Sequence, residues 1–293
     1  MSEPVVRHMG ELKITRISEP DILALTPARL FPDLADEAAD PALFPPHMLT
    51  EEGFVRLAVH AWLVEGPLVT LLVDTGIGNA KARPKAPLFH ERQTDFLDTL
   101  AAAGVAPSAV DLVLLSHLHV DHVGWNTVRT DDVWLPTFPH AKYVFSEKEY
   151  RFYAAPQHYE ARHHNSFLAR MDSVDPVVAN GQAVMIAVDG SEVMPNVRFH
   201  ATPGHSPDHA VITIDTPDGR LLFAADTLHH PAQVLRPDVN STFDLEPEAA
   251  RASRRKMLDM AAEENTLLFG AHLSGTSVLD IRRTAEGYTW REA

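Results

Sequence analysis

The chain has no cysteine in its 293 residues. That excludes disulfides, thiolate metal ligands and cysteine nucleophiles. Positive charge is also scarce: 25 Lys and Arg face 40 Asp and Glu, a formal net charge of -15. A field of that sign repels polyanions, so nucleic acid and anionic membrane are disfavoured as partners. No apolar run is long enough to span a bilayer. Met1-Ser2-Glu3-Pro4 has neither the basic start nor the apolar stretch of a secretory signal. A cytoplasmic location is the resulting expectation. There is no short repeat and no low-complexity tract. Thr75-Gly76-Ile77-Gly78 is not followed by the Lys-Ser/Thr that a phosphate loop requires, so that reading is dropped.

Histidine is what the chain has in quantity, with 17 copies. Four metal-capable side chains fall within His117-Leu118-His119-Val120-Asp121-His122, directly after the apolar run Val113-Leu114-Leu115. Neutral imidazoles and carboxylates are the usual nitrogen and oxygen ligands of zinc and similar ions. A strand that ends in such a loop can aim two groups of ligands in different directions. One ion would take His117 and His119, a second Asp121 and His122. The competing reading is a His-rich surface loop, and the apolar Leu118 and Val120 alternating with the polar residues argue against it.

Around this loop the pattern alternates strands and helices. Residues 1–52 are Pro-rich and read as an irregular extension: an inert arm, a flap over a site, or an arm that clasps a second subunit. Residues 53–293 read as one catalytic domain. Phe54 to Val64 and Leu68 to Val73 are expected strands, closed by the turn Asp74-Thr75-Gly76-Ile77-Gly78. His90 to Ala103 has helical spacing, with Phe96, Leu97 and Leu100 on one face. Asp111 to Ser116 and Lys142 to Phe145 are short strands. Ser146 is placed to cap a helix over Glu147 to Ala155, with Glu149 at the capping-box position. A helix follows at Ser166 to Ser173. Strands are then expected at Val184 to Val188, Val197 to Ala201, Ala210 to Ile214, Leu221 to Ala225 and Thr266 to Gly270. A long helix lies at Glu246 to Glu264, and Tyr288 to Trp290 closes the chain. Packed sheets with helices outside are the layered solution for this order.

Three further positions carry the same chemistry, each just after an apolar strand: His205 in Thr202-Pro203-Gly204-His205, Asp226 after Leu221 to Ala225, and His272 in Gly270-Ala271-His272. Strand ends fix ligand geometry on a rigid scaffold. His-x-His-x-Asp-His, then Thr-Pro-Gly-His, then an Asp after an apolar strand, then a late Gly-Ala-His resembles the metallo-β-lactamase superfamily from about Phe54 onward. The resemblance implies an α/β fold, a four-layer αβ/βα sandwich, here with the N-terminal extension added. It implies a dinuclear centre in which His117, His119 and His205 hold the first ion and Asp121, His122 and His272 the second. Asp226 would bridge both. Asp74 matches an early Asp of the superfamily and would support the site through hydrogen bonds to the ligands. Zinc is the first choice of metal, with manganese, iron and cobalt as alternatives.

Within the superfamily the segment Asp226 to Val234 and the helix before His272 look most like the branch of methyl parathion hydrolase and the N-acyl homoserine lactonases. Asp208 departs from that branch, standing where a Gly is common. The implied reaction is opening of a small ester, a lactone in the first instance, by a metal-bridging hydroxide, with Asp121 shuttling a proton and Asp226 bridging. The rival enzyme reading is an organophosphate or aryl-ester hydrolase. The rival of a different class is a non-catalytic, metal-stabilised binding protein, against which seven intact ligand candidates argue. A homodimer is the expected assembly. Other histidines get plainer readings. His163 and His164 are expected to be solvated, and His209 to support the site or fill the core. His229 and His230 stay open between site and core. Trp125, Phe152 and Tyr153 are read as packing, with a substrate wall as the alternative.

Overall fold

The computed structural model describes residues 5–22, 25–159 and 161–293. The first four residues of the N-terminal extension lie outside that range. The chain divides into two compact units. The first comprises residues 1–20 and 59–187, the second residues 21–58 and 188–293.

The first unit is built on strands β1 (Val6–Met9), β2 (Leu12–Ile22), β3 (Leu57–Glu65), β4 (Thr70–Val73), β5 (Leu112–Leu114), β6 (Thr127–Thr130), β7 (Val133–Pro136), β8 (Lys142–Ser146) and β9 (Ala183–Ile186). Seven of them form one sheet in the order β1-β2-β3-β4-β5-β8-β9, while β6 and β7 form a separate hairpin. β4, β5, β8 and β9 run parallel. Parallel neighbours need crossovers, and the helix Phe96–Ala102 lies between β4 and β5. It buries Phe96 and Leu100 against Leu63, Leu72 and Val113. Burying one such side chain stabilises the fold by about 1.5–3 kcal/mol. The helix Glu147–Ala154 starts where the sequence placed it. The Ser146 hydroxyl accepts from the Glu149 amide at 3.1 Å, satisfying one exposed donor of the first turn.

The second unit holds β10 (Glu192–Met194), β11 (Val197–Ala201), β12 (Ala210–Thr216), β13 (Gly219–Ala225), β14 (Thr266–Gly270), β15 (Val278–Thr284) and β16 (Gly287–Glu292), in that order across one sheet. β12 is antiparallel to both β11 and β13, and β14 is parallel to β13. So β11, β13 and β14 all run the same way, and their ends lie on one edge of the sheet. The helix Pro247–Ala261 buries Ala250, Arg254, Met257, Leu258 and Ala261, a spacing of three and four that marks one face.

One expectation is corrected. Residues 6–22 are not irregular: they pair as an antiparallel hairpin at the edge of the first sheet. The prolines nearby masked a period-two pattern in which Thr15, Ile17 and Glu19 are buried. Further along the extension, apolar residues such as Leu43, Phe44 and Met48 are buried and order the segment by packing. Leu30, Phe31, Leu34, Leu43 and Phe44 form a buried cluster with Val55, Leu57, Ala232 and Val239 of the same unit. β6, β7 and β15 carried no strong strand signal. β15 is rich in charge (Asp280, Arg282, Arg283), and β7 alternates around the exposed Val133 and Leu135.

Candidate metal centre

In the first unit the His cluster sits at the end of β5, beside the turn that ends β4. Those two strands are parallel, with Val73 opposite Leu114, so Asp74 and the cluster leave the same edge of the sheet. That is where ligands bind in open parallel sheets. Asp74 has a positive φ of 57°, a conformation a short polar side chain tolerates. The Thr75 amide donates to the His122 carbonyl at 2.7 Å, and the Trp125 amide to Thr75 at 2.9 Å. The two loops touch so closely that a Cβ on Gly124 would lie 1.8 Å from the Ile77 carbonyl oxygen. Only glycine fits there.

The hydrogen bonds fix the histidine tautomers. Asp74 Oδ1 accepts from the Ser116 amide at 2.8 Å, and Oδ2 accepts from the Ser116 hydroxyl and from His122 Nδ1, each at 2.8 Å. Ser116 has one proton and gives it to Asp74. Its oxygen therefore accepts from His117 Nδ1, 3.0 Å away. His117 and His122 are both held at Nδ1, which selects Nε2 as the metal-facing nitrogen. Their ring centroids are 4.1 Å apart. His119 lies edge-on to His117 at 4.5 Å, and its Nε2 is 2.9 Å from the Tyr153 hydroxyl. Asp121 stands 3.9 Å from His122 Nε2.

In the second unit His205, Asp226 and His272 follow β11, β13 and β14. The pairing of β13 with β14 shifts between Phe223 and Ala225, and Ala225 has φ 43°. Such an irregularity at a strand end re-aims the next side chain, here Asp226. Asp226 Oδ2 lies 3.1 Å from His205 Nε2, and Oδ1 lies 3.1 Å from His272 Nε2. His272 Nδ1 donates to the Ala58 carbonyl at 2.8 Å. A neutral His272 therefore turns a lone pair on Nε2 towards a carboxylate oxygen. Two acceptors at that distance need a positive charge between or upon them. A carboxylate that offers one oxygen to each of two imidazoles fits two divalent ions, so the residues present suit the group the resemblance implies. His209 supports Asp226 rather than joining the donors. Its Nε2 accepts from the Asp226 amide at 3.0 Å, and its Nδ1 faces the Thr202 hydroxyl at 2.9 Å.

Near these donors the sequence left His229 open between site and core, and it missed Asp244 and the contact of Tyr153. His229 is buried with His205 and Asp226, their ligand atoms all within 4.8 Å of one another. Its ring stacks on His272 at 5.6 Å, and its Nε2 lies 3.4 Å from Asp226 Oδ2. Burial holds its pKa below the ordinary range, with Asp226 pulling the other way. The sequence signal was its place three residues after Asp226. Asp244 lies 3.6 Å from His205 Nδ1 and is anchored by the buried Arg254 at 3.1 Å. Burial alone would raise its carboxyl. The neighbouring His205, His229 and Arg254 outweigh that and hold it low. Tyr153, read as packing, bonds His119. His163, expected to be solvated, is buried against Phe152. His230 is buried between Phe44 and Phe31, where desolvation brings its pKa down to about 3, so it belongs to the core.

Comparison with known proteins agrees with this architecture. The family model of the metallo-β-lactamase superfamily matches residues 55–272. The N-acyl homoserine lactonase AiiA of Bacillus thuringiensis subsp. kurstaki is 24% identical over 237 residues, covering 76% of this chain and 84% of AiiA. Among solved structures, the hydrolase AbOPH of the β-lactamase superfamily superposes with a TM-score of 0.84 at 22% identity, over 100% of this chain and 98% of that one. AidC, a dizinc quorum-quenching lactonase in complex with a homoserine product, superposes at 0.79 and 22% identity, over 99% and 97%. Among the described residues no helix is long and apolar enough to cross a membrane. With its family model matched from Val55 to His272, the chain belongs to the metallo-β-lactamase superfamily and has the metallo-β-lactamase fold, as its histidine and aspartate clusters foretold.

Proposed function

We propose that this chain is a two-metal hydrolase that opens a small ester, a lactone in the first instance. The observation that carries the reading is Asp226, whose two oxygens face His205 Nε2 and His272 Nε2 at 3.1 Å each. His117, His119 and His205 would hold one ion; Asp121, His122 and His272 the other; Asp226 would serve both. When bound, two such ions activate water near neutral pH and polarise a carbonyl oxygen. The protein's share is to hold and aim these groups. Asp74 and Ser116 fix the Nδ1 protons of His117 and His122, and the Ala58 carbonyl fixes that of His272. Such partners orient ligands and raise their basicity. Asp121, half-buried 3.9 Å from His122 Nε2, would carry a proton from the attacking water to the leaving alkoxide. The formal charge of -15 favours a small neutral substrate over a polyanion. The lactonases AiiA and AidC support a lactone as the ester, and zinc is the metal proposed. A homodimer in the cytoplasm is the proposed setting.

The test combines metal content with turnover. Gently purified protein should carry about two metal equivalents per chain. Chelator should abolish, and zinc restore, opening of γ- and δ-lactones, with slower cleavage of activated aryl esters. Metal-dependent cleavage of phosphotriesters with no lactone opening would move the assignment to the organophosphate reading. Two firmly bound ions with no turnover across the panel would favour the binding-protein reading.

A further inference from the structure

Tyr153 sits on the last turn of the helix Glu147–Ala154, completely buried, in the same unit as the His cluster. A buried tyrosine hydroxyl needs a hydrogen-bond partner. Here the hydroxyl lies 2.9 Å from His119 Nε2. The phenol ring is clamped edge-on by His163 at 6.0 Å and Phe167 at 6.3 Å. Ser166 hydrogen-bonds the same phenol, and the buried Glu149, one helical turn back, lies close enough to act on it. Burial and Glu149 push the phenol pKa well above its ordinary value.

The three histidines of the cluster are thus tied in two ways. His117 and His122 are held at Nδ1 by Ser116 and Asp74, while His119 is held at the opposite nitrogen. With Nε2 turned to the Tyr153 hydroxyl, Nδ1 is the ring nitrogen that would face an ion. We propose that Tyr153 is a positioning residue whose phenol accepts the Nε2 proton of His119 and so presents Nδ1 to the metal. The proposal rests on the reading of His119 as a metal ligand. It assigns Tyr153 no contact with substrate.

The experiment measures zinc binding by competition with a chromophoric chelator, for the wild-type chain, His119→Ala, Tyr153→Phe and the double variant. Phenylalanine keeps the ring and removes one oxygen. Tyr153→Phe should weaken one of the two zinc ions about 10–100-fold and leave the other near its wild-type affinity, the usual cost of losing a ligand's hydrogen-bond partner. His119→Ala should weaken the same ion, and the double variant should be no worse than His119→Ala alone, because Tyr153 acts through His119. Tyr153→Phe within about twofold of wild type would overturn the proposal, as would an equal further loss in the double variant. A second measurement needs no variant: two-bond proton–nitrogen spectra of the zinc-loaded protein should place the His119 proton on Nε2. A proton on Nδ1 would refute it. If the wild-type chain takes up no zinc, or His119→Ala changes nothing, the ligand reading itself fails, and that is seen before any Tyr153 variant is compared.

Discussion

Asp74 offers a sharp test of how the centre is held, because one carboxylate serves three buried donors. It accepts from the Ser116 amide, the Ser116 hydroxyl and His122 Nδ1, all at 2.8 Å. Replacement by alanine leaves all three without that acceptor. A buried donor stripped of its partner costs about 1–3 kcal/mol. Alanine also tolerates the φ of 57° less well than aspartate does, adding about 1 kcal/mol. The metal-free protein should therefore lose roughly 4 kcal/mol or more, a large part of the ~5–15 kcal/mol that holds a typical domain. Denaturation of metal-free protein in guanidinium reads this directly. The loaded protein reports the second consequence. Without Asp74 the His122 tautomer is no longer fixed, and the ring of His117 loses the hydroxyl that Asp74 oriented. Zinc affinity should drop about 10–100-fold, or ~1.4–2.8 kcal/mol. Asp74→Asn keeps one acceptor oxygen, so it should fall between alanine and wild type on both scales. Asp74→Ala within about 1 kcal/mol of wild-type stability and about twofold of its zinc affinity would refute the argument.

The fold class and the donor clusters were both legible in the sequence, the clusters for a physical reason. Metal chemistry demands particular side chains, and a run such as His117-Leu118-His119-Val120-Asp121-His122 has few other uses. Strand ends are also visible, because apolar runs such as Leu221 to Ala225 stop abruptly at a polar residue. Partners one step further out are not. Tyr153 looks like any core aromatic, since its hydroxyl matters only once the chain has folded beneath His119. Asp244 is one acid among many until Arg254 is seen beside it. The N-terminal segment misled for the converse reason. Its prolines obscured the alternation of Leu12–Ile22, and its apolar residues gave no periodicity because they pack as a cluster around Phe31 and Phe44 rather than as one face of a helix. His163 was misplaced because polarity suggested solvent, whereas the aromatic surround of Phe152 and Tyr153 shelters it.

Asp226→Ala should bring bound zinc close to none per chain by elemental analysis, whereas His272→Ala should lose only one ion; near-complete loading of Asp226→Ala would sink its double role. Phe31→Ala should lower the stability of the metal-free protein by about 3–5 kcal/mol, because Phe31 is fully buried among Leu30, Phe44 and Val55. A loss under about 1 kcal/mol would show that the Phe31 cluster does not hold that segment. The last prediction concerns Lys81, whose nitrogen is buried against Thr127 at 2.5 Å and stands over the Trp134 ring at 3.5 Å. Burial brings its pKa down to about 7, against the pull of Asp172, while an unfolded lysine stays at 10.5. Below pH 7 both states carry the proton and the fold bears the whole cost of burying the charge. Between pH 7 and 10.5 the folded chain sheds its proton first, so the unfolded state binds more protons and stability rises with pH. At 1.36 kcal/mol per unit the rise is about 5 kcal/mol at most, reduced by whatever the Trp134 face contributes to the charged form. Lys81→Met leaves Arg83 paired with Asp172 at 2.6 and 2.8 Å and removes the titration. The stability difference between wild type and Lys81→Met, measured by denaturation at pH 6, 7.5 and 9, should therefore shift in favour of wild type as pH rises. A difference that stays flat would show that Lys81 keeps its proton in the fold.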